Sequence, residues 1–259
     1  MILIKKANNP LIAVEFLVKG LKLLPDPKLR SLIIIPILIN IVLYSIALAL
    51  GYYYVEELIN QFIPNWLQWL NWILLPLFFI LFFVVSFFSF TVLANLIASP
   101  FYGVLSARTQ ALISGEVQVI EQPVAQVMAG ELKRVLYIVM RILPLLILFI
   151  IPVVNIIAPI IFALFSAWCL AMEFMAYPLE NEGLLFVEQK ELLKTARIGI
   201  LSFGGITMLG LTLPVLNIII GPAAVIGATI YLYEMREKPL EESQEEESEE
   251  ESEDVQVQE

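Results

Sequence analysis

Histidine is absent from the 259 residues, and cysteine occurs once, as Cys169, inside an apolar run. A single cysteine rules out an intramolecular disulfide and any cysteine-based metal site. Without histidine there can be no His-based catalytic dyad, no His-ligated metalloenzyme centre and no His proton relay. No glycine-rich phosphate loop occurs, which removes ATP hydrolysis as far as a motif can remove it. No nucleophile and base occur together, so no catalytic residue, cofactor site or metal site is expected and a membrane enzyme has little support. Positive charge is missing from residues 31–107: all 15 Lys and Arg lie outside that stretch, and Glu56 and Glu57 are its only formal charges.

Apolar residues fill the gap. They make up 59% of the chain, with a mean hydropathy of +0.86, well beyond the roughly half-apolar norm of soluble domains. Two apolar runs, at 31–54 and 71–98, each exceed the roughly 20 residues needed to cross a bilayer core and predict full spans. The first 30 residues carry six basic side chains without a compact apolar core ending in small residues, so no cleaved leader is expected. By the positive-inside rule those basic residues place the N-terminus in the cytoplasm. The 55–70 connection holds two Glu and no Lys or Arg, which suits an outer loop, and Trp66, Trp69 and Trp72 fit an interfacial aromatic belt. The 99–141 segment, with Arg108, Lys133, Arg134 and Arg141, returns to the cytoplasm.

The formal charge of −10 is concentrated at one end. Residues 237–259 hold 12 acidic residues against one Lys, while the body carries 14 basic against 13 acidic. A Glu/Ser/Gln run without an aromatic residue cannot bury enough apolar surface to offset ordering. The sequence therefore divides into a membrane domain, 1–236, and a disordered acidic tail, 237–259, expected in the cytoplasm.

The second half does not read as simple spans. Residues 142–172 form an uncharged run of 31, about 46 Å as one straight helix, and Pro144, Pro152 and Pro159 interrupt it. The run at 198–233 is interrupted at Pro214 and Pro222. The two breaks are related: Pro152-Val153-Val154-Asn155-Ile156-Ile157 and Pro214-Val215-Leu216-Asn217-Ile218-Ile219 stand 62 residues apart. Pro and Asn are turn residues, so the repeat predicts two helical hairpins that enter the membrane partway and return. Hairpins keep the basic 177–197 connection in the cytoplasm, whereas single spans would put it outside. The fold class predicted is an all-α integral membrane protein with two long transmembrane helices, two proline-broken half-penetrating hairpins and an N-terminal interfacial helix. That last helix, at 8–24, presents Leu11, Val14, Leu17, Val18 and Leu21 at helical spacing, with Lys19 and Lys22 off that face.

It ends at Pro25-Asp26-Pro27, and Lys28-Leu29-Arg30-Ser31 opens the first span. This tetrapeptide gathers an ammonium, a guanidinium, a hydroxyl and helix-start N–H groups, a combination that attracts anions. The alternative is that Lys28 and Arg30 are positive-inside anchors reaching to headgroups. Pro100-Phe101-Tyr102-Gly103 is expected to stop the second span and turn the chain, with Asn95 satisfying nearby backbone, and Gly204, Gly205 and Gly221 suggest close helix packing.

From about residue 8 to 233 the chain resembles the CysZ-type sulfate permeases of bacterial inner membranes and the EI24-domain proteins grouped with them. The likeness rests on Gly20-Leu21-Lys22-Leu23, Pro27-Lys28-Leu29-Arg30, Pro36-Ile37-Leu38-Ile39-Asn40 and Pro64-Asn65-Trp66-Leu67-Gln68-Trp69-Leu70. It continues through Asn95-Leu96-Ile97-Ala98-Ser99-Pro100-Phe101-Tyr102-Gly103, Phe165-Ser166-Ala167-Trp168, Tyr177-Pro178-Leu179-Glu180-Asn181 and Pro222-Ala223-Ala224-Val225-Ile226-Gly227-Ala228-Thr229. The resemblance implies sulfate uptake for cysteine synthesis, a homo-oligomer in the lipid bilayer of the inner membrane, and no nucleic-acid partner. The family pattern at the helix start is Gly, aliphatic, Arg, Arg, with the arginines binding sulfate. Here those positions are Lys28, Leu29, Arg30 and Ser31, so one arginine carries over. Ala107 and Ala176 stand where the family usually has Glu and Asp. Glu173, in the apolar stretch 167–177, is a candidate polar pore residue that could replace the missing Asp, or could pair with a Lys or Arg at the interface. The altered arginine pair leaves a second expectation open, a non-transporting EI24-family membrane scaffold.

Overall fold

The structure is a computed structural model that describes residues 3–62, 69–115, 119–120 and 122–236. The 64–68 part of the aromatic connection and the acidic tail lie outside the described residues. Everything long within them is helical. Helix α1, Pro10–Leu23, starts where Asn9 Oδ1 accepts the N–H of Leu11 at 3.0 Å and proline occupies the first position. Helix α2, Arg30–Phe62, contains the first predicted span, and α3, Asn71–Ser114, contains the second. Their outward side chains are Ile, Leu, Val and Phe, as lipid requires: Ile41, Val42, Ile46, Ile80, Leu81 and Phe83 are all exposed. Between the two, Tyr44 Oη and Ser89 Oγ share a hydrogen bond of 3.0 Å.

Pro100 does not stop α3. The helix runs through it to Ser114 and ends at Gly115, whose φ of +76° suits glycine and whose N–H donates to the Ala111 carbonyl at 3.1 Å. Pro36, Pro76, Pro144 and Pro222 are likewise carried inside helices. A proline in a helix costs one hydrogen bond, and tight packing of neighbouring elements tolerates it. Near Gly103 the polar partner is Asn181, whose Nδ2 donates to the Gly103 carbonyl at 3.0 Å. The side chain of Asn95 is outside the described set.

Each of the two later runs folds back on itself. Helix α4, Val124–Leu148, turns at 149–157 into α5, Ala158–Asn181; α7, Arg197–Leu211, turns at Thr212-Leu213 into α8, Pro214–Glu234. A short α6, Phe186–Leu193, joins the hairpins. The sequence repeat makes the same hydrogen bond twice. Asn155 N–H donates to the Ile151 carbonyl at 3.0 Å and Asn217 N–H to the Leu213 carbonyl at 2.9 Å, in both cases the residue before the proline. The second copy continues as the first turn of α8. The first is interrupted at Val153, which adopts φ +71° before a 3₁₀ turn at Val154–Ile156. At this tip Ile150, Val153 and Ile156 are 75–80% exposed, so the turn presents apolar side chains to its surroundings while the N–H groups of Phe149, Ile150, Asn155, Ile156 and Ile157 are bonded within it. Among the described residues, four stretches are long and apolar enough to cross a membrane: Arg30–Tyr54, Ala158–Asn181, Phe186–Leu211 and Leu216–Glu234. The chain is an all-α membrane protein.

Helices α1, α5, α7, α8 and the last third of α3 pack into one core. Its crossings are set by small residues. A Cβ on Gly20 would run into the Ala223 carbonyl of α8, and one on Gly204 into the Ala167 carbonyl of α5. Gly221 meets the Tyr102 hydroxyl, whereas Gly205 faces open space. Helix α1 also buries a face that its apolar periodicity does not mark. Its buried stripe is Ala13, Phe16, Leu17 and Gly20, one step round from the stripe read in the sequence, and Leu11 and Val18 remain exposed. The helix is turned towards α8 because Gly20 and Gly227 let the backbones meet there, an attraction a hydrophobicity count does not contain.

The polar groups gather at one end of the molecule. Ile4 N–H donates to the Met235 carbonyl, and Leu3 N–H to Thr195 Oγ1. Asn8 Oδ1 accepts the N–H of Ile198, Lys19 pairs with Glu234, and Arg236 pairs with Glu182. The N-terminus, the 177–197 connection and the end of α8 therefore share a side. The hairpin tips lie at the other ends of their arms.

Candidate functional site

At the start of α2 the chain leaves α1 through Leu24-Pro25 and turns at Asp26. Asp26 Oδ1 accepts the N–H of Lys28 at 2.8 Å, and its carbonyl accepts the N–H groups of Leu29 and Arg30, both at 3.0 Å. Leu32 N–H goes to the Leu29 carbonyl at 3.0 Å. The N–H groups of Lys28, Leu29, Arg30 and Leu32 are therefore occupied, and the side chains supply most of the remaining chemistry. Leu29 is fully buried and pins the turn to the core, while Lys28, Arg30 and Ser31 stand exposed around it. The four predicted residues thus divide into one anchor and three presented groups.

Sequence reading assigned Arg108 only to a cytoplasmic segment. The structure brings it to the same corner: Arg108 Nη1 donates to the Lys28 carbonyl at 3.2 Å, across 80 residues of chain. It sits about one and a half helical turns beyond Tyr102 and Gly103, a point α3 reaches only because Pro100 does not end it. Among the described residues, Lys28, Arg30 and Arg108 have no carboxylate within ion-pair distance. Three basic residues and a hydroxyl residue thus stand at or beside one helix start, held to it by the Arg108–Lys28 hydrogen bond.

Glu173 is not part of this corner. It opens on a cleft of about 400 Å³ between α4 and α5, walled by Glu131, Arg134, Ile138 and Ile142 on one side and by Ser166, Cys169, Glu173 and Tyr177 on the other. Ala176 is buried in the core, so Glu173 and the position of the family's Asp have different surroundings. Arg134 is engaged elsewhere: it pairs with Glu131 at 2.7 Å and Glu180 at 2.9 Å and donates to Gln189 Oε1 at 2.8 Å. Burial lifts the Glu131 carboxyl above the ordinary range, against the pull of Arg134. The Tyr177-Pro178-Leu179-Glu180-Asn181 motif now has a structural reason. Glu180 holds α4, Asn181 Nδ2 holds α3, and the Asn181 carbonyl accepts the N–H of Ile120 at 2.8 Å.

Residues 16–222 match the family described as Sulfate transporter CysZ/Etoposide-induced protein 2.4, EI24. The chain belongs to this family. It is 40% identical to the sulfate transporter CysZ of Pseudomonas syringae pv. tomato over 230 residues, 84% of this chain and 90% of that one. It is 37% identical to the protein of that name from Pseudomonas fluorescens, over 88% of this chain and 94% of the relative. For Pectobacterium atrosepticum the figures are 32%, 86% and 85%. The EI24 match begins within α1 and ends within α8, so it takes in the α2 start, Arg108 and the cleft alike.

Proposed function

We propose that this chain is a sulfate permease of the bacterial inner membrane, moving sulfate into the cytoplasm for cysteine synthesis. What supports the reading most is the set of relatives, 32–40% identical over at least 84% of this chain and each named a sulfate transporter. Lys28, Arg30, Ser31 and Arg108 form the anion-binding corner, with Leu29 as its anchor, and Glu173 is a polar group of the α4/α5 cleft rather than a sulfate ligand. Transport rather than catalysis is the role. The working unit is a homo-oligomer in the lipid bilayer, with the N-terminus and acidic tail cytoplasmic. The hairpins are half-penetrating, a depth that suits the 15-residue α7, about 22 Å long, better than the 24-residue α5. Uptake of labelled sulfate into proteoliposomes tests the reading, with sulfite, phosphate and chloride as competitors. Uptake above empty liposomes that sulfate itself competes away is the expected result, and its absence would move the assignment to a non-transporting scaffold of the same family.

A further inference from the structure

Arg141 is the last charge before the uncharged run 142–172, and a second cation joins it there. Its guanidinium stacks on the Tyr137 ring at 3.7 Å, and its Nη1 donates to the Tyr137 carbonyl at 3.4 Å. Lys190, from α6, brings its ammonium to 5.7 Å from the same ring and to 5.8 Å from that of Phe186, which meets Tyr137 edge to face at 5.5 Å. Two cations from different elements therefore share one aromatic pair. Their charge is poorly matched. Among the described residues Arg141 has no carboxylate within ion-pair distance, and Lys190 has only Glu191 at 3.5 Å, which stands closer to Lys194 at 2.9 Å. Ring faces attract these cations without neutralising them. Towards the hairpin tip the same side of α4 turns apolar: Pro144 and Leu148 follow Tyr137 and Arg141 at helical spacing, and Met140 and Ile147, both exposed, flank them.

We propose that Arg141 and Lys190, held on the Tyr137 ring, seat the phosphodiester of an anionic glycerophospholipid, one that carries no ammonium of its own, with its chains along Pro144, Ile147 and Leu148. Surplus positive charge at the edge of an apolar run, with an exposed apolar strip directly beyond it, is satisfied at once by such a molecule. The phosphate meets the cations and the hydrocarbon meets the strip. A zwitterionic lipid brings an ammonium into the same patch and loses there part of what its phosphate gains. A soluble oxyanion gains nothing from the strip. Membrane anchoring accounts for a single basic residue at the boundary, but not for two from different elements held on one ring against their mutual repulsion. The proposal is independent of which anion the chain transports.

Native mass spectrometry of the full chain, released from nanodiscs containing equal parts phosphatidylglycerol, phosphatidylcholine and phosphatidylethanolamine, tests it. Phosphatidylglycerol should be retained over either zwitterionic lipid by about fivefold or more, at about fivefold for each cation engaged. Arg141→Gln and Lys190→Gln should each remove most of that preference, whereas Lys6→Gln, which removes an exposed cation away from this ring pair, should leave it unchanged. Tyr137→Leu should lower the preference and Tyr137→Phe should keep it, because the ring is what holds the two cations together. Inorganic phosphate in large excess should not displace the lipid. Equal retention of the three lipids by the wild type, an unchanged preference in Arg141→Gln and Lys190→Gln, an equal loss in Lys6→Gln, no difference between the two Tyr137 variants, or displacement by phosphate would each overturn the assignment.

Discussion

Four side chains at one corner, Lys28, Arg30, Ser31 and Arg108, can be ranked by what each loses when truncated. Arg30→Ala removes a charge-assisted donor and should weaken sulfate binding by about 1.5–3 kcal/mol, against about 0.5–1.5 for Ser31→Ala, which removes a neutral one. Isothermal titration of the purified protein checks the ranking, and equal affinity for wild type and Arg30→Ala would make Arg30 a positive-inside anchor. Lys28→Ala should also weaken binding if its ammonium stands in for the family's second arginine, and Ser31→Arg should tighten it. Arg108→Ala is expected to fall with Arg30→Ala rather than with Ser31→Ala, since its guanidinium is tied to the Lys28 carbonyl and keeps further donors. Of this proposed group, Lys28 through Ser31 could be named from the sequence because they are contiguous and open a span. Arg108 could not, because nothing in a linear pattern says that a residue 80 positions away returns to the same turn. The helix-start N–H donors are fewer than the pattern suggests for a local reason: Asp26 and its carbonyl already take those of Lys28, Leu29 and Arg30.

Helices α2 and α3 were legible as spans because hydropathy over 20 residues is a property of the segment alone. Both hairpins were legible for a similar reason, since the repeated Pro-x-x-Asn-Ile-Ile brings its own hydrogen bond to each turn. What failed was reading Pro100 as a stop, and what went unread is the second face of α1, the one packed on α8. Both depend on what packs alongside: neighbours that tolerate a missing hydrogen bond, and glycines that bring α1 onto α8. The second point is testable by a matched pair of substitutions. Gly20→Val places a branched side chain where even a Cβ strikes the Ala223 carbonyl, and it should cost about 1–3 kcal/mol or more. Gly205→Ala, with nothing within 4 Å of the new methyl group, should be neutral or slightly stabilising in α7. Thermal unfolding in detergent, followed by helical circular dichroism, distinguishes them. Equal midpoints would mean that the α1/α8 crossing does not hold the core together.

Across the whole molecule the acidic run and the sidedness of the chain make separate demands. Residues 237–259 carry almost no apolar surface to bury, so removing them should leave insertion and sulfate uptake nearly unchanged; loss of either would mark the run as a partner site. Sidedness is the stronger constraint, because the polar end ties distant parts of the chain together. Leu3 bonds Thr195, Ile4 bonds Met235, and Arg108 bonds Lys28. Whatever the orientation, residues near 5 and 191 must therefore face the same compartment, and by the positive-inside rule the expected one is the cytoplasm. The reporter position matters. Gln189 lies inside the basic connection but is buried, holding the Leu184 carbonyl and Arg134, so a cysteine there would be shielded and would disturb the fold. Glu191 is exposed on the same helix. In a Cys169→Ser background, single cysteines at Lys5 and Glu191 should react with an impermeant maleimide only in inside-out vesicles. A cysteine at Gln61, at the far end of α2, should react only in intact cells from which the outer barrier has been removed. If Glu191 reacts from the opposite side to Lys5, the hairpins do not return and each run crosses the membrane once. If both react from both sides, the chain inserts in two orientations and its few basic residues are too weak a bias to fix one.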